Sequence, residues 1–139
     1  MVLKLYGSDL SPYTKTVGMI LYEKQIAFEF HFIDTLKGEH KTSGHFEKQP
    51  MGQVPYIVRP PSQNPWKGTH LPKDDDGFVL YESRAIAWYL STKYASQGTP
   101  LVPPASDIQA TALLHQSLAT ENSNCTWIPR VLMEGLYKP

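Results

Sequence analysis

Hydrophobic and polar positions change period several times along this chain. Val2 to Tyr6 is a short β-branched and aromatic run closed by Gly7, which reads as a strand. Tyr13, Val17, Ile20 and Leu21 then recur at helical spacing, predicting an amphipathic helix over residues 12–24. Its start is marked by Ser11-Pro12, with serine at the N-cap and proline at the first helical position. Phe28, Phe30 and Phe32 alternate with Glu29 and His31, the two-residue period of a second strand. A strand, a helix and a strand make a βαβ unit, which requires a parallel pair joined by a right-handed crossover.

Residues 34–48 hold no sustained period and read as a loop with one short helix near Gly44–Lys48. Tyr56 to Val58 and Phe78 to Tyr81 are two more apolar runs. Paired as a hairpin, they leave residues 59–77, with four prolines, two glycines and Asp74-Asp75-Asp76, as an insertion at the tip. Helical spacing returns in Ile86, Tyr89, Leu90 and Tyr94, within Ser83 to Tyr94. Three prolines in residues 95–105 mark a linker. Ser106 and Gln109 then read as a capping box, followed by an apolar stripe through Ala110, Leu113, Leu114 and Leu118. Helical character resumes from Thr126 to Leu136, and no internal repeat is present. The order predicts an α/β fold: a thioredoxin-like domain over residues 1–94, a linker, and the beginning of an all-helical domain over 106–139.

Composition narrows the partners. With 13 basic and 13 acidic residues the formal net charge is zero, and no basic stripe is present to attract nucleic acid or an anionic membrane. A hydrophobic fraction of 41% is enough for a packed core. The single cysteine, Cys125, cannot form an internal disulfide and suits a reducing compartment. The apolar run at Met1 to Gly7 is too short for a signal peptide or a membrane span. A cytoplasmic protein is expected.

Four places carry candidate chemistry. Val54-Pro55 precedes the strand run Tyr56-Ile57-Val58. It is either a proline closing off a strand or, with a cis bond, a backbone edge facing outward toward a peptide-like ligand. Ser11-Pro12-Tyr13-Thr14 lies where a strand hands over to a helix, the corner that carries Cys-x-x-Cys in dithiol proteins of this fold. Serine and threonine exclude that redox chemistry. Ser11 is either a plain cap or a hydroxyl donor to an anion at a helix N-terminus, and such a donor lowers the pKa of a bound thiol. Glu82-Ser83 opens the second long helix, as a cap or as an anchor for a ligand's carboxylate and ammonium. His40-Lys41 is a solvated pair or a second carboxylate site. The five histidines, at 31, 40, 45, 70 and 115, show no metal-ligand spacing, so no metal is expected.

Four local signatures occur in one order: Gly7 leading to Ser11-x-x-Thr14; Gly38-Glu39-His40-Lys41; Pro50-x-Gly52-Gln53-Val54-Pro55; and Glu82-Ser83-Arg84-Ala85-Ile86. Each alone is weak, but the ordered set resembles the glutathione transferases, most of all the serine-type phi class and its fungal relatives. The resemblance implies a detoxifying enzyme that binds glutathione as co-substrate and directs its thiolate at a small electrophile, with no other cofactor and usually as a homodimer. It implies that Ser11 is the catalytic hydroxyl and that His40 and Lys41 hold the glycine carboxylate of glutathione. Gln53 and Val54 would bond its cysteinyl part ahead of cis-Pro55, and Glu82 and Ser83 would anchor the γ-glutamyl end. Thr14 matches a motif position to which no role is assigned.

Two departures from the family stand out. The chain ends where another helix of the family's second domain would begin, so most of the electrophile pocket is expected to be missing. The insertion at 59–77 is the other, read as a surface loop. A rival from a different class is a non-catalytic glutathione-binding or scaffold module. Cys125 reads as a small buried residue rather than a thiol reactive with glutathione.

Overall fold

A computed structural model describes residues 2–59 and 77–124. The expectations for most of the insertion, for Cys125 and for a helix at Thr126–Leu136 lie outside that range. The chain divides into two compact units, Met1–Thr99 and Pro100–Pro139.

In the first unit, strands β1 (Leu3–Gly7), β2 (Phe28–Phe32), β3 (Tyr56–Val58) and β4 (Val79–Tyr81) form one sheet of order β2-β1-β3-β4. β1 is central. It runs parallel to β2, with Leu5 opposite Phe30, and antiparallel to β3, with Leu5 opposite Ile57. β3 and β4 form the expected antiparallel hairpin, with Ile57 opposite Leu80. The parallel pair is linked by helix α1 (Pro12–Glu23), and helix α3 (Ser83–Lys93) follows β4. The sheet and helix pattern is the thioredoxin-like arrangement.

The alternation in β1 explains the core. Leu3 and Leu5 are buried on one face with Val17 and Leu21 of α1, Ile57 of β3, and Ile86 and Leu90 of α3. Each such side chain contributes roughly 1.5–3 kcal/mol on full burial. Lys4 and Tyr6 lie on the other face, where Tyr6 stacks on Tyr56 of β3 at 4.6 Å and on His31 of β2 at 4.5 Å. Burial, then the nearby Tyr6, pushes the Tyr56 phenol up to about 12, so it stays a neutral packing group. Phe28, Phe30 and Phe32 share the face of Leu3 and Leu5 but sit on an edge strand, and are 36%, 46% and 53% exposed.

Helix α1 begins as predicted: Ser11 is its N-cap and Pro12 its first residue. Its other end is a Schellman turn without glycine. Gln25 takes a left-handed φ of 53°, its N–H donates to Tyr22, and the Ile26 N–H reaches back to Leu21. The remaining carbonyls of that end are met from far along the chain. The Thr99 N–H donates to Glu23, and Gln97 Nε2 donates to Lys24 and Gln25. Lys24 is fully buried and donates through Nζ to the Thr99 carbonyl at 3.0 Å. The first part of the expected linker is thus bonded to the α1 terminus.

The loop after β2 carries a 3₁₀ turn at Glu39–Lys41 and the short helix α2 (Ser43–Phe46), so the one short helix expected there starts earlier and follows an extra turn. In the second unit, helix α4 spans Ile108–Asn124. Its cap is Asp107 and not Ser106: Asp107 Oδ1 accepts from the Ala110 N–H at 2.9 Å, and the Asp107 carbonyl accepts from the Thr111 N–H. A carboxylate at the N-cap takes the orphan N–H and also complements the helix dipole.

Two glycines separate packing from propensity. A Cβ on Gly7 would lie 2.7 Å from Oγ1 of Thr14, itself buried, whereas a Cβ on Gly18, mid-helix in α1, would meet nothing within 4 Å. Gly7→Ala is expected to destabilise the chain by about 1–3 kcal/mol. Gly18→Ala is expected to stabilise it by about 0.5–1 kcal/mol. Urea denaturation of the two variants reads both signs, and equal effects would refute the packing account of Gly7.

Candidate functional site

The sheet registers bring the candidate residues to one end. Parallel pairing places the carboxyl end of β2 beside that of β1, with Gly7 opposite Phe32. Antiparallel pairing sets the start of β3 there too, with Tyr56 opposite Tyr6, and the end of β4 beside it, with Tyr81 opposite Tyr56. The loops leaving β1, β2 and β4 and the loop entering β3 therefore share one edge. They carry Ser11, His40 with Lys41, Glu82 with Ser83, and Gln53-Val54-Pro55 respectively.

At Ser11 the oxygen and the proton have separate tasks. Oγ accepts from the Thr14 N–H at 3.3 Å, closing the first turn of α1. An acceptor bond leaves the hydroxyl proton available to a group outside. Thr14 is buried against Gly7 and serves packing at the strand-to-helix corner.

In the loop into β3, the N–H and C=O of both Gly52 and Gln53 are hydrogen-bonded. The Gly52 N–H donates to the Gln49 carbonyl, and the Gly52 carbonyl accepts from Lys41 Nζ at 2.8 Å. The Gln53 N–H donates to Gln49 Oε1 at 3.1 Å, and the Gln53 carbonyl lies 2.7 Å from His45 Nε2. Gly52 has a left-handed φ of 59°, and a Cβ there would lie 2.8 Å from the Phe46 ring and 3.0 Å from Lys41 Nζ, so only glycine fits. The Val54–Pro55 peptide is cis. Among the described residues, neither the N–H nor the C=O of Val54 makes a hydrogen bond.

Glu82 stands immediately before α3 with φ 69° and ψ 110°, a conformation side chains rarely adopt. Strained backbone of this kind costs on the order of 1–3 kcal/mol and clusters where ligands bind. Ser83 is the first residue of α3 and is buried. In the 3₁₀ turn, His40 Nδ1 is buried without a partner among the described residues. Burial first, then the Lys41 ammonium and the His45 imidazole, hold His40 below its ordinary 6.5. Among the described residues no cluster of three or more histidine, cysteine or acidic side chains could hold a metal ion, and no helix is long and apolar enough to cross a membrane.

Two site residues were not singled out from the sequence. His45 and Gln49 are four apart, are 4% and 1% exposed, and hold the two sides of Gln53. The available signal was a polar pair at helical spacing ahead of the Val54-Pro55 step.

Comparison with known proteins agrees with this geometry. The family model for the glutathione S-transferase N-terminal domain matches residues 10–93. The chain belongs to the glutathione S-transferase family. Among its relatives, glutathione S-transferase hmp2 of Hypomyces subiculosus is 37% identical over 88% of this chain and 49% of its own length. Glutathione S-transferase 3 of Zea mays is 40% identical over 73% of this chain and 38% of its own. The crystal structure of poplar glutathione transferase F1 superposes with a TM-score of 0.78 at 27% identity, covering all of this chain and 57% of that one. This chain thus spans about half the length of the curated relatives it matches, and the two named are a fungal and a plant protein, as its motif order suggested.

The depressed His40 has a measurable consequence. In the folded chain His40 should titrate below 6.5, as followed by its ring proton resonances against pH. Because the unfolded chain then binds the proton more readily, stability should be intact above 6.5 and decline as pH falls through the folded value. His40→Gln should remove that part of the decline. Titration of His40 at or above 6.5 would contradict the burial argument.

Proposed function

We propose that this chain is the glutathione-binding half of a glutathione transferase, in which the Ser11 hydroxyl stabilises the bound thiolate for attack on a small electrophile. The observation that carries the reading is the Val54 edge, a backbone donor and acceptor left open among the described residues directly after Gly52 and Gln53, whose own backbone groups are bonded. Such an edge suits the cysteinyl part of a tripeptide, which offers its own C=O and N–H. His40 and Lys41 on one side, and Glu82 with the Ser83 hydroxyl at the α3 N-terminus on the other, are the groups to hold the glycine carboxylate and the γ-glutamyl end. Gln53 contributes through the backbone loop it shares with Val54, and Pro55 ends the edge.

The chemistry needs little more. A thiol with pKa about 8.5 is only a few per cent ionised at neutral pH. A hydrogen bond to a charged group contributes about 1.5–3 kcal/mol, and about 1.4 kcal/mol moves a pKa by one unit. One serine hydroxyl therefore suffices to lower the thiol by roughly one to two units. The thiolate then attacks the electrophile directly, with glutathione as co-substrate and with no metal in the step. Detoxification, a cytoplasmic setting and a homodimer of the whole protein belong to the same reading.

The test avoids the electrophile. The ultraviolet absorbance of thiolate, followed against pH in the complex of the 139-residue chain with glutathione, is expected to show the thiol ionising about one to two units below its free value. Ser11→Ala should return it to within about half a unit of the free value while glutathione still binds in calorimetry. Binding without any lowering in the unaltered chain would favour the non-catalytic module instead. Absence of binding by a folded chain would reject both.

A further inference from the structure

We infer that His45 is a positioning residue for the proposed peptide edge: its imidazole holds the Gln53 carbonyl and thereby aims and polarises the Val54 N–H. The inference rests on the glutathione reading of the site.

The argument starts from the peptide plane. The carbonyl of Gln53 and the N–H of Val54 belong to one planar amide, so fixing the direction of the first fixes that of the second. His45 Nε2 lies 2.7 Å from the Gln53 oxygen. A carbonyl only accepts, so Nε2 carries the hydrogen and the ring is the Nε2–H tautomer. In the neutral ring Nδ1 is the bare nitrogen, and among the described residues it is buried without a partner.

The ring has little freedom. His45 is 4% exposed and stands edge-on to Tyr56, centroids 5.2 Å apart and planes at 83°. Tyr56 is in turn stacked on Tyr6, 4.6 Å away with planes 3° apart, across the β1–β3 pair. The imidazole is therefore referenced to the sheet and not to the loop it holds. Gln49, one helical turn on, fixes the preceding amide through the Gln53 N–H at 3.1 Å. A donor on a carbonyl also strengthens the N–H on the far side of the same amide, because hydrogen bonds polarise one another along a chain. The group so strengthened is the Val54 N–H, which is free among the described residues.

A purely space-filling histidine makes different predictions, and three measurements separate the two. The first needs no ligand or variant: the imidazole ¹⁵N shifts of His45 in the free chain should show Nε2 protonated and Nδ1 bare, and the opposite tautomer overturns the inference. The second is calorimetry of the 139-residue chain with glutathione. His45→Leu, which keeps volume but has no donor, is expected to weaken binding roughly tenfold. The third is His45→Gln, whose amide N–H stands near the place of Nε2–H and should restore affinity to within about threefold. Thermal melts of both variants are read alongside. Equal affinity of the leucine variant and the unaltered chain overturns the inference and leaves the glutathione reading standing. Equal weakening in both variants also overturns it, since packing and not the donor would then be responsible. No glutathione binding by the folded, unaltered chain overturns the reading itself and the inference with it.

Discussion

β1 is bonded along both edges, and everything else in the first unit is registered on it. Parallel pairing on one side demands a crossover, which α1 supplies, and antiparallel pairing on the other permits the short return through β3 and β4. With those two choices made, the ends of β1, β2 and β4 and the start of β3 must come together. The candidate site is thus a consequence of strand direction. Its residues lie far apart in the chain and none of them needs a dedicated element to reach the others.

The loop between α2 and β3 shows how the backbone beside the proposed peptide edge is held. A polar group buried without a hydrogen bond costs about 1–3 kcal/mol, so the chain meets Gly52 with Gln49 and Lys41, and Gln53 with Gln49 and His45. Val54 is partly exposed, so water can serve its N–H and C=O until something replaces it. Lys41 illustrates the economy. Its ammonium has three donors, one of which braces Gly52, and two remain for a carboxylate. Binding and bracing are compatible there because the lysine acts as a point charge.

The elements were legible wherever local chemistry decides structure. Ser11-Pro12 placed the start of α1, the period of Phe28 to Phe32 placed β2, and the apolar runs placed the hairpin. Legibility failed where two local solutions competed or where the partner lay elsewhere. Ser106 and Asp107 are both good caps, and the carboxylate won. Gln25 in a left-handed turn has no sequence mark, because the residues that satisfy that helix end, Gln97 and Thr99, are more than seventy positions away. The motifs that named candidate site residues stand in the sequence itself, while His45 and Gln49 became visible only once α2 was laid beside the loop. The backbone of Glu82 was equally hidden, since nothing in a glutamate before a serine announces φ 69°.

Ser11 shows why capping and chemistry at this corner are not rivals. A hydroxyl has two lone pairs and one proton. The fold takes a lone pair, through the Thr14 N–H, and has no use for the proton. Aspartate or asparagine would cap the helix as well or better, yet a carboxylate would repel a thiolate, and an amide would have to turn its oxygen to the helix and its NH₂ to the ligand. A cysteine would offer a weaker acceptor to the helix and a competing thiol to the ligand. Serine is the small residue that meets the demand of the helix with one part of an atom and leaves the other part for an anion. A plain N-cap and the proposed thiolate donor can therefore be one residue, and the sequence pattern of the first does not exclude the second.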